Sequence, residues 1–272
     1  MKIYISADIE GVSGVVAVEQ CDQRSGEYQR ARRLLTGEVN AAVAGAIAGG
    51  ATEVLVNDAH GGKKNILIEE LDPRARLLTG DPKPLSMMAG LDASYAGAIL
   101  IGYHSRAASR GVLNHTVSGR VRRLVVNGRE VGEAGMNAGI AGYFGVPIIM
   151  VAGDDVLERE VRDFFGAIAN PVEFATVKIA RGRYAADCLS PERARELIAA
   201  TARRAVERSE DFKPYDAGTP VTFEVTWQLS ANADMAMALP GVVRVDDTTV
   251  RFTHPDHIVA YHCFRAMVAL AG

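Results

Sequence analysis

Four short, apolar runs alternate with stretches of helical periodicity in the first part of the chain, and each run empties into polar residues. They are Ile3-Tyr4-Ile5, Val54-Leu55-Val56, Gly97-Ala98-Ile99-Leu100-Ile101 and Pro147 to Ala152. Runs of this length read as strands buried on both faces. Their alternation with helices is the pattern of a mainly parallel sheet covered on both sides, so the expected fold class is α/β. Between the strands, 27–48 has helical periodicity with Ser25 as its expected N-cap and Gly49-Gly50 as its stop. A weak helix is expected near 66–71, a further strand at 75–78 and a small-residue helix over 133–144. Asn127-Gly128 between β-rich flanks predicts a hairpin over 121–131.

Beyond residue 172 the pattern changes. A strand over 172–179 precedes a helix over 190–208, with Ser190 as N-cap and Pro191 in its first turn. After a Pro-containing break at 214–219, strands are expected at 221–227 and 242–252 and a closing helix at 256–270. This divides the chain into a metal-binding α/β domain, 1–170, and a smaller α+β portion, 171–272.

Polar residues recur where the four strands end: Asp8 and Glu10, Asp58 and His60, His104, Asp154 and Asp155. In sheets of this class ligands bind beyond the carboxyl ends of the strands. Singly, each residue has an ordinary structural explanation. Asp-x-Glu after a strand suits a turn, Glu133 suits a helix N-terminus, and Asp154-Asp155 suits an N-cap and first turn. As a group, Asp8, Glu10, His60, His104 and Glu133 are oxygen and imidazole donors without sulfur, a set suited to zinc and equally acceptable to manganese or cobalt. Two carboxylates spaced i, i+2 in extended backbone point to one side, and their repulsion calls for a cation between them. The set is too large for one catalytic zinc. If Asp8 bridges, it supplies three protein ligands to each of two metals, the arrangement that activates water for hydrolysis. His115 reads either as a loop histidine or as a proton carrier beside such a centre. His254, His257 and His262 match no zinc spacing and are expected to be structural.

A net charge of −3 and a pI near 6.1 give no footprint for nucleic acid. Three distant cysteines, Cys21, Cys188 and Cys263, argue against a disulfide framework. Met1-Lys2 runs directly into strand pattern, and the most apolar stretch, 138–153, is broken by Pro147 and glycines. A cytoplasmic protein without a membrane span is expected.

Several strings closely resemble the zinc-dependent D-aminopeptidases encoded with bacterial dipeptide-transport genes. They are Ser6-Ala7-Asp8-Ile9-Glu10-Gly11, Val56-Asn57-Asp58-Ala59-His60, Gly80-Asp81-Pro82-Lys83-Pro84, Gly102-Tyr103-His104, Asn127-Gly128 with Gly132-Glu133, and Val151 to Asp155. The likeness runs to about Pro191 and is thinner afterwards, where Leu239-Pro240-Gly241 is the best match; Ser105 stands where alanine is expected. The resemblance implies two zinc ions per subunit, with Asp8, Glu10, His60, His104 and Glu133 as ligands and His115 as a catalytic residue. It also implies short peptides as substrates and a ring-shaped homodecamer enclosing the sites. The expected activity is removal of N-terminal residues, D-amino acids above all, by metal-activated water, with His115 as acid/base or oxyanion stabiliser. One rival is another two-metal hydrolase, acting on a phosphoester or non-peptide amide. A second is a non-catalytic nucleotide- or peptide-binding protein, against which Asp-Ile-Glu-Gly replaces a glycine-rich phosphate cradle.

Overall fold

The computed structural model describes residues 1–167 and 170–271. In chain order the strands are β1 (Lys2–Ala7), β2 (Glu53–Asp58), β3 (Ala75–Leu78), β4 (Gly97–Ile101), β5 (Val121–Val126), β6 (Arg129–Glu130), β7 (Ile148–Asp154), β8 (Glu173–Gly182), β9 (Ala185–Cys188), β10 (Val221–Trp227), β11 (Val243–Arg244) and β12 (Thr249–His254). The α-helices are α1 (Tyr28–Ala48), α2 (Glu133–Tyr143), α3 (Asp155–Gly166), α4 (Pro191–Glu207), α5 (Ser230–Ala236) and α6 (His257–Leu270).

A seven-stranded sheet in the order β3-β2-β1-β4-β7-β8-β9 forms the centre, parallel except for the final β8–β9 pair. Period-2 alternation along β1 explains its two-sided burial. Ile3, Ile5 and Ala7 join the cluster under α1 and α4, while Tyr4 joins the cluster on the opposite face. That second cluster also takes residues of α2, α3 and α6 and the inner face of a five-stranded antiparallel sheet, β11-β12-β10-β5-β6.

Sheet membership does not follow the 170/171 division. Strand β8 pairs with β7 in the parallel sheet, and the β5–β6 hairpin pairs with β10 in the antiparallel one. The reason is that β5 and β6 leave the central sheet and return through α2, an excursion that local periodicity does not reveal. The expected hairpin turn is present, with Asn127 and Gly128 both at positive φ as a two-residue turn of the primed kind requires. The 66–71 helix is only one 3-10 turn at Ile68–Glu70. Residues 242–252 make two short paired strands instead of one. Helix α1 starts at Tyr28, and Ser25 Oγ accepts from Glu27 N at 3.2 Å just before it instead of capping it.

The chain moves from β1 to β2 and β3 on one side of β1, then places β4 on the other. The crevice beyond β1 and β4 is thus a topological switch point, where open α/β sheets bind ligands.

Candidate metal centre

The backbone leaves the sheet after Ala7 and turns at once, so Asp8 and Glu10 do not sit in the extended run that their spacing suggested. Asp8 N donates to Ile101 O at 2.8 Å and Gly11 N to Gly102 O at 2.7 Å, which locks the turn onto the end of β4. A Cβ at Gly11 would lie 1.8 Å from Tyr103 O, and one at Gly102 (φ +68°) 2.1 Å from Asp8 O. Only glycines let these two loops interlock, and this interlock sets the carboxylates against His104.

The donors come from five places: Asp8 and Glu10 after β1, His60 after β2, His104 after β4, His115 in the following loop, and Glu133 in the first turn of α2. His60 Nδ1 lies 3.2 Å from Asp8 Oδ1 and 2.9 Å from Glu10 Oε2. His104 Nε2 lies 3.6 Å from Asp8 Oδ2 and 3.4 Å from Glu133 Oε1. His115 Nε2 lies 3.7 Å from Glu133 Oε1 and 4.0 Å from Glu10 Oε1, and its ring stacks on His104 at 4.1 Å. Ligand atoms group as Asp8–Glu10–His60, as Asp8–His104–Glu133 and as Glu10–His104–His115. Asp8 belongs to the first two groups, one carboxylate between two sets of three donors.

Each imidazole has one nitrogen committed to a backbone carbonyl. His60 Nε2 meets Cys21 O at 3.0 Å, His104 Nδ1 meets Ser105 O at 3.0 Å, and His115 Nδ1 meets Leu113 O at 2.9 Å. A carbonyl only accepts, so each of these nitrogens carries the hydrogen and the other ring nitrogen faces the carboxylates. A neutral ring would then point a lone pair at negative oxygens. A bound proton or a metal ion removes that conflict, and a backbone carbonyl behind the ring is the usual support of a metal-ligating histidine. His104 Nε2 and Glu10 Oε2 are buried without a hydrogen-bond partner among the described residues, as atoms reserved for a cation would be.

The electrostatics agree. Burial and then the Glu10 charge push the Asp8 carboxyl up to about 7. Burial works against charge on His104, but Glu133 outweighs it and holds the ring up at about 10. Burial raises the Glu133 carboxyl, but His104 and then His115 outweigh it and bring it down to about 2. The site is an anionic pocket that concentrates positive charge. Two divalent ions would more than cancel the charge of its three carboxylates, leaving a net charge of about +1.

Asp58 and Asp154, grouped with the donors by position alone, are structural. Asp58 accepts from Asn65 N, Asn65 Nδ2 and Ile66 N at 2.6–2.8 Å. Asp154 caps α3 through Val156 N and Leu157 N and also accepts from Val112 N at 2.7 Å. Asp155 Oδ1 accepts from Ala180 N. His254, His257 and His262 enter none of the donor groups.

Two supports, Lys178 and Arg183, escaped sequence reasoning, and Glu133, an expected ligand, has a second role beside them. Lys178 is buried, and its Nζ donates to the carbonyls of Glu10, Val12 and Val15 at 2.5, 2.9 and 2.6 Å. The signal was present: a lysine inside the apolar strand Ala175–Ile179, where burial has to be compensated. Arg183 holds the His115 loop from the β8–β9 turn, donating to Asn114 O and Oδ1 at 2.5 and 2.9 Å. Glu133 does the same from α2, with Oε1 accepting from Val117 N at 2.7 Å. Leu113 and Val117 both lie at positive φ, a strain of roughly 1–3 kcal/mol each that these bonds offset.

Lys178→Met should strand three buried carbonyls. The expected cost is about 3 kcal/mol or more of stability, with metal affinity about 10- to 100-fold weaker as the Glu10 loop loosens. Thermal unfolding and zinc titration of the variant check this; parent values for both would refute it.

The doubly covered sheet and the carboxylate–imidazole cluster at its switch point define an α/β protein with a candidate two-metal centre. Comparison with known proteins then gives the lineage: the chain belongs to the peptidase M55 family, described as D-aminopeptidase, whose profile matches residues 1–266. It is 38% identical over 272 residues to the D-aminopeptidase of Bacillus subtilis (strain 168), an alignment covering 100% of this chain and 98% of that protein. Among solved structures it superposes with a TM-score of 0.95 on the Zn-dependent D-aminopeptidase DppA from Bacillus subtilis, described as a self-compartmentalizing protease. That match has 38% identity and covers 100% of this chain and 98% of the other.

Proposed function

We propose that the chain is a two-zinc aminopeptidase that removes N-terminal residues, D-residues by preference, from short peptides. Asp8, Glu10 and His60 would hold one metal and Asp8, His104 and Glu133 the other, with Asp8 between them. The observation that carries this reading is the sharing of Asp8 by two three-donor groups at the switch point of the sheet. Membership of a D-aminopeptidase family and the zinc dependence of the Bacillus subtilis relative support it.

A metal pair there supplies Lewis acidity and an acidified water. The chain's own groups do the rest. The substrate's free amino group would be gripped by a metal or by a site carboxylate, which confines cleavage to the amino end. His115 has Nδ1 tied to Leu113 O, so its Nε2 stays directed at the cavity. There it would carry a proton to the departing amine or hold the developing oxyanion. The His115 ring is the more exposed of the stacked pair, 23% against 1% for His104, as a group that meets substrate needs to be.

Assembly into a homo-oligomer, a decamer with the sites facing an inner chamber, is part of the proposal, supported by the self-compartmentalizing description of the relative. So is a cytoplasmic location. Among the described residues no helix is long and apolar enough to cross a membrane.

A substrate panel on the zinc-loaded protein tests the reading. D-Ala-D-Ala should be cleaved with a kcat/KM at least about tenfold above that for L-Ala-L-Ala, the scale that pocket fit alone supplies. A phosphodiester should remain intact. Faster turnover of the phosphodiester, or equal cleavage of both peptides, would overturn it.

A further inference from the structure

The donor cluster opens into a cavity of about 200 Å³ lined by Asp8, His60, His115 and Glu133, and the same cavity is also lined by Lys63 and Arg265. These two cations have no part in the metal chemistry. Lys63 is only 6% exposed, and its Nζ donates to a single carbonyl, Ala59 O at 2.5 Å. Two of its three N–H donors are left for another acceptor. Arg265 projects from α6, on the layer that covers this face of the sheet. Among the described residues neither side chain has a carboxylate within ion-pair distance, although the other arginines near acidic groups pair readily. Arg265 repels Lys63 across the cavity while Asp8 and Glu133 attract it; with those carboxylates committed to metal, an anion in the cavity would balance the two cations.

We propose that Lys63 and Arg265 bind the free C-terminal carboxylate of the peptide, making this a site for di- and tripeptides read at both ends. This rests on the aminopeptidase reading above and deepens it. A short peptide has an amino group at one end and a carboxylate at the other, and the cavity lining offers a partner for each: the metal centre for the amino group, a lysine and an arginine for the carboxylate. An arginine fork matches a carboxylate in geometry as well as charge. The cavity volume fits the same reading, since pockets for drug-sized ligands run from about 300 Å³ upward.

The experiment compares D-Ala-D-Ala with its C-terminal amide on the zinc-loaded parent protein, on Arg265→Ala and on Arg265→Lys. The parent should favour the free acid by about 10- to 100-fold in kcat/KM, the range lost when a charged hydrogen bond goes unmade. In Arg265→Ala that ratio should collapse toward one through KM, and Arg265→Lys should recover part of it. Zinc content and oligomeric size are measured alongside. Equal cleavage of acid and amide by the parent would overturn the carboxylate clamp while leaving the aminopeptidase reading intact. A variant that loses acid and amide activity equally, or that changes oligomeric size, would overturn it too, by assigning Arg265 to structure or to a neighbouring subunit. A parent that cleaves neither substrate would remove the underlying reading and the clamp with it.

Discussion

Stripped of metal by a chelator, the protein is expected to lose peptide hydrolysis by at least about 10³-fold, because the several kcal/mol of charge stabilisation from a metal is worth tenfold per 1.4 kcal/mol. It should also unfold at a lower temperature. Asp8, Glu10 and Glu133 are 2%, 6% and 3% exposed, so without a cation their charges face one another out of water. Protons on His60 and His104 then take the place of the metal, and each is held there by carboxylates at 2.9–3.6 Å. That substitution keeps the fold but forfeits the binding energy of the ions. At a free metal concentration a thousand times the dissociation constant, one ion contributes about 4 kcal/mol. Zinc, manganese or cobalt should each restore both properties, since the donors are oxygen and imidazole only. Calorimetry with and without chelator, paired with the peptide assay, reads both effects. An unchanged transition and unchanged rate after verified metal removal would contradict the account.

His115→Ala should lower turnover by about 10²- to 10⁴-fold, the usual contribution of a positioned acid or base, while two metals per subunit are retained. The geometry sets up a discriminating result. His115 Nε2 approaches Glu10 and Glu133, and Glu10–His104–His115 is itself a possible donor group. Were His115 a ligand, the variant would lose metal in step with activity. Activity lost at full metal content assigns it to the reacting atoms. Metal analysis on the assayed sample decides between them, and a variant as active as the parent removes His115 from the chemistry altogether.

The strands were legible because burial on both faces leaves a short run of apolar residues, and their carboxyl ends marked the crevice. The five expected ligands and His115 do converge there. How they converge was less legible. Asp8 and Glu10 meet His104 through a turn set by Gly11 and Gly102, a contact between loops about ninety residues apart that no local pattern carries. Asp58 and Asp154 look like the ligands in sequence, and only their hydrogen bonds to backbone amides separate them. The same limit hid the second sheet. Strands β5 and β10 are far apart in the chain, so their pairing is a tertiary fact. Lys178 braces the Glu10 loop from β8 and Arg265 lines the cavity from α6, beyond the region where the motifs cluster.

Diffraction from crystals loaded with zinc, recorded on both sides of the zinc absorption edge, tests the centre most directly. Two anomalous peaks should appear on either side of Asp8, one within reach of Glu10 and His60 and the other within reach of His104 and Glu133. No peak among these side chains, or His60 and His104 turned away from Asp8, would contradict the account.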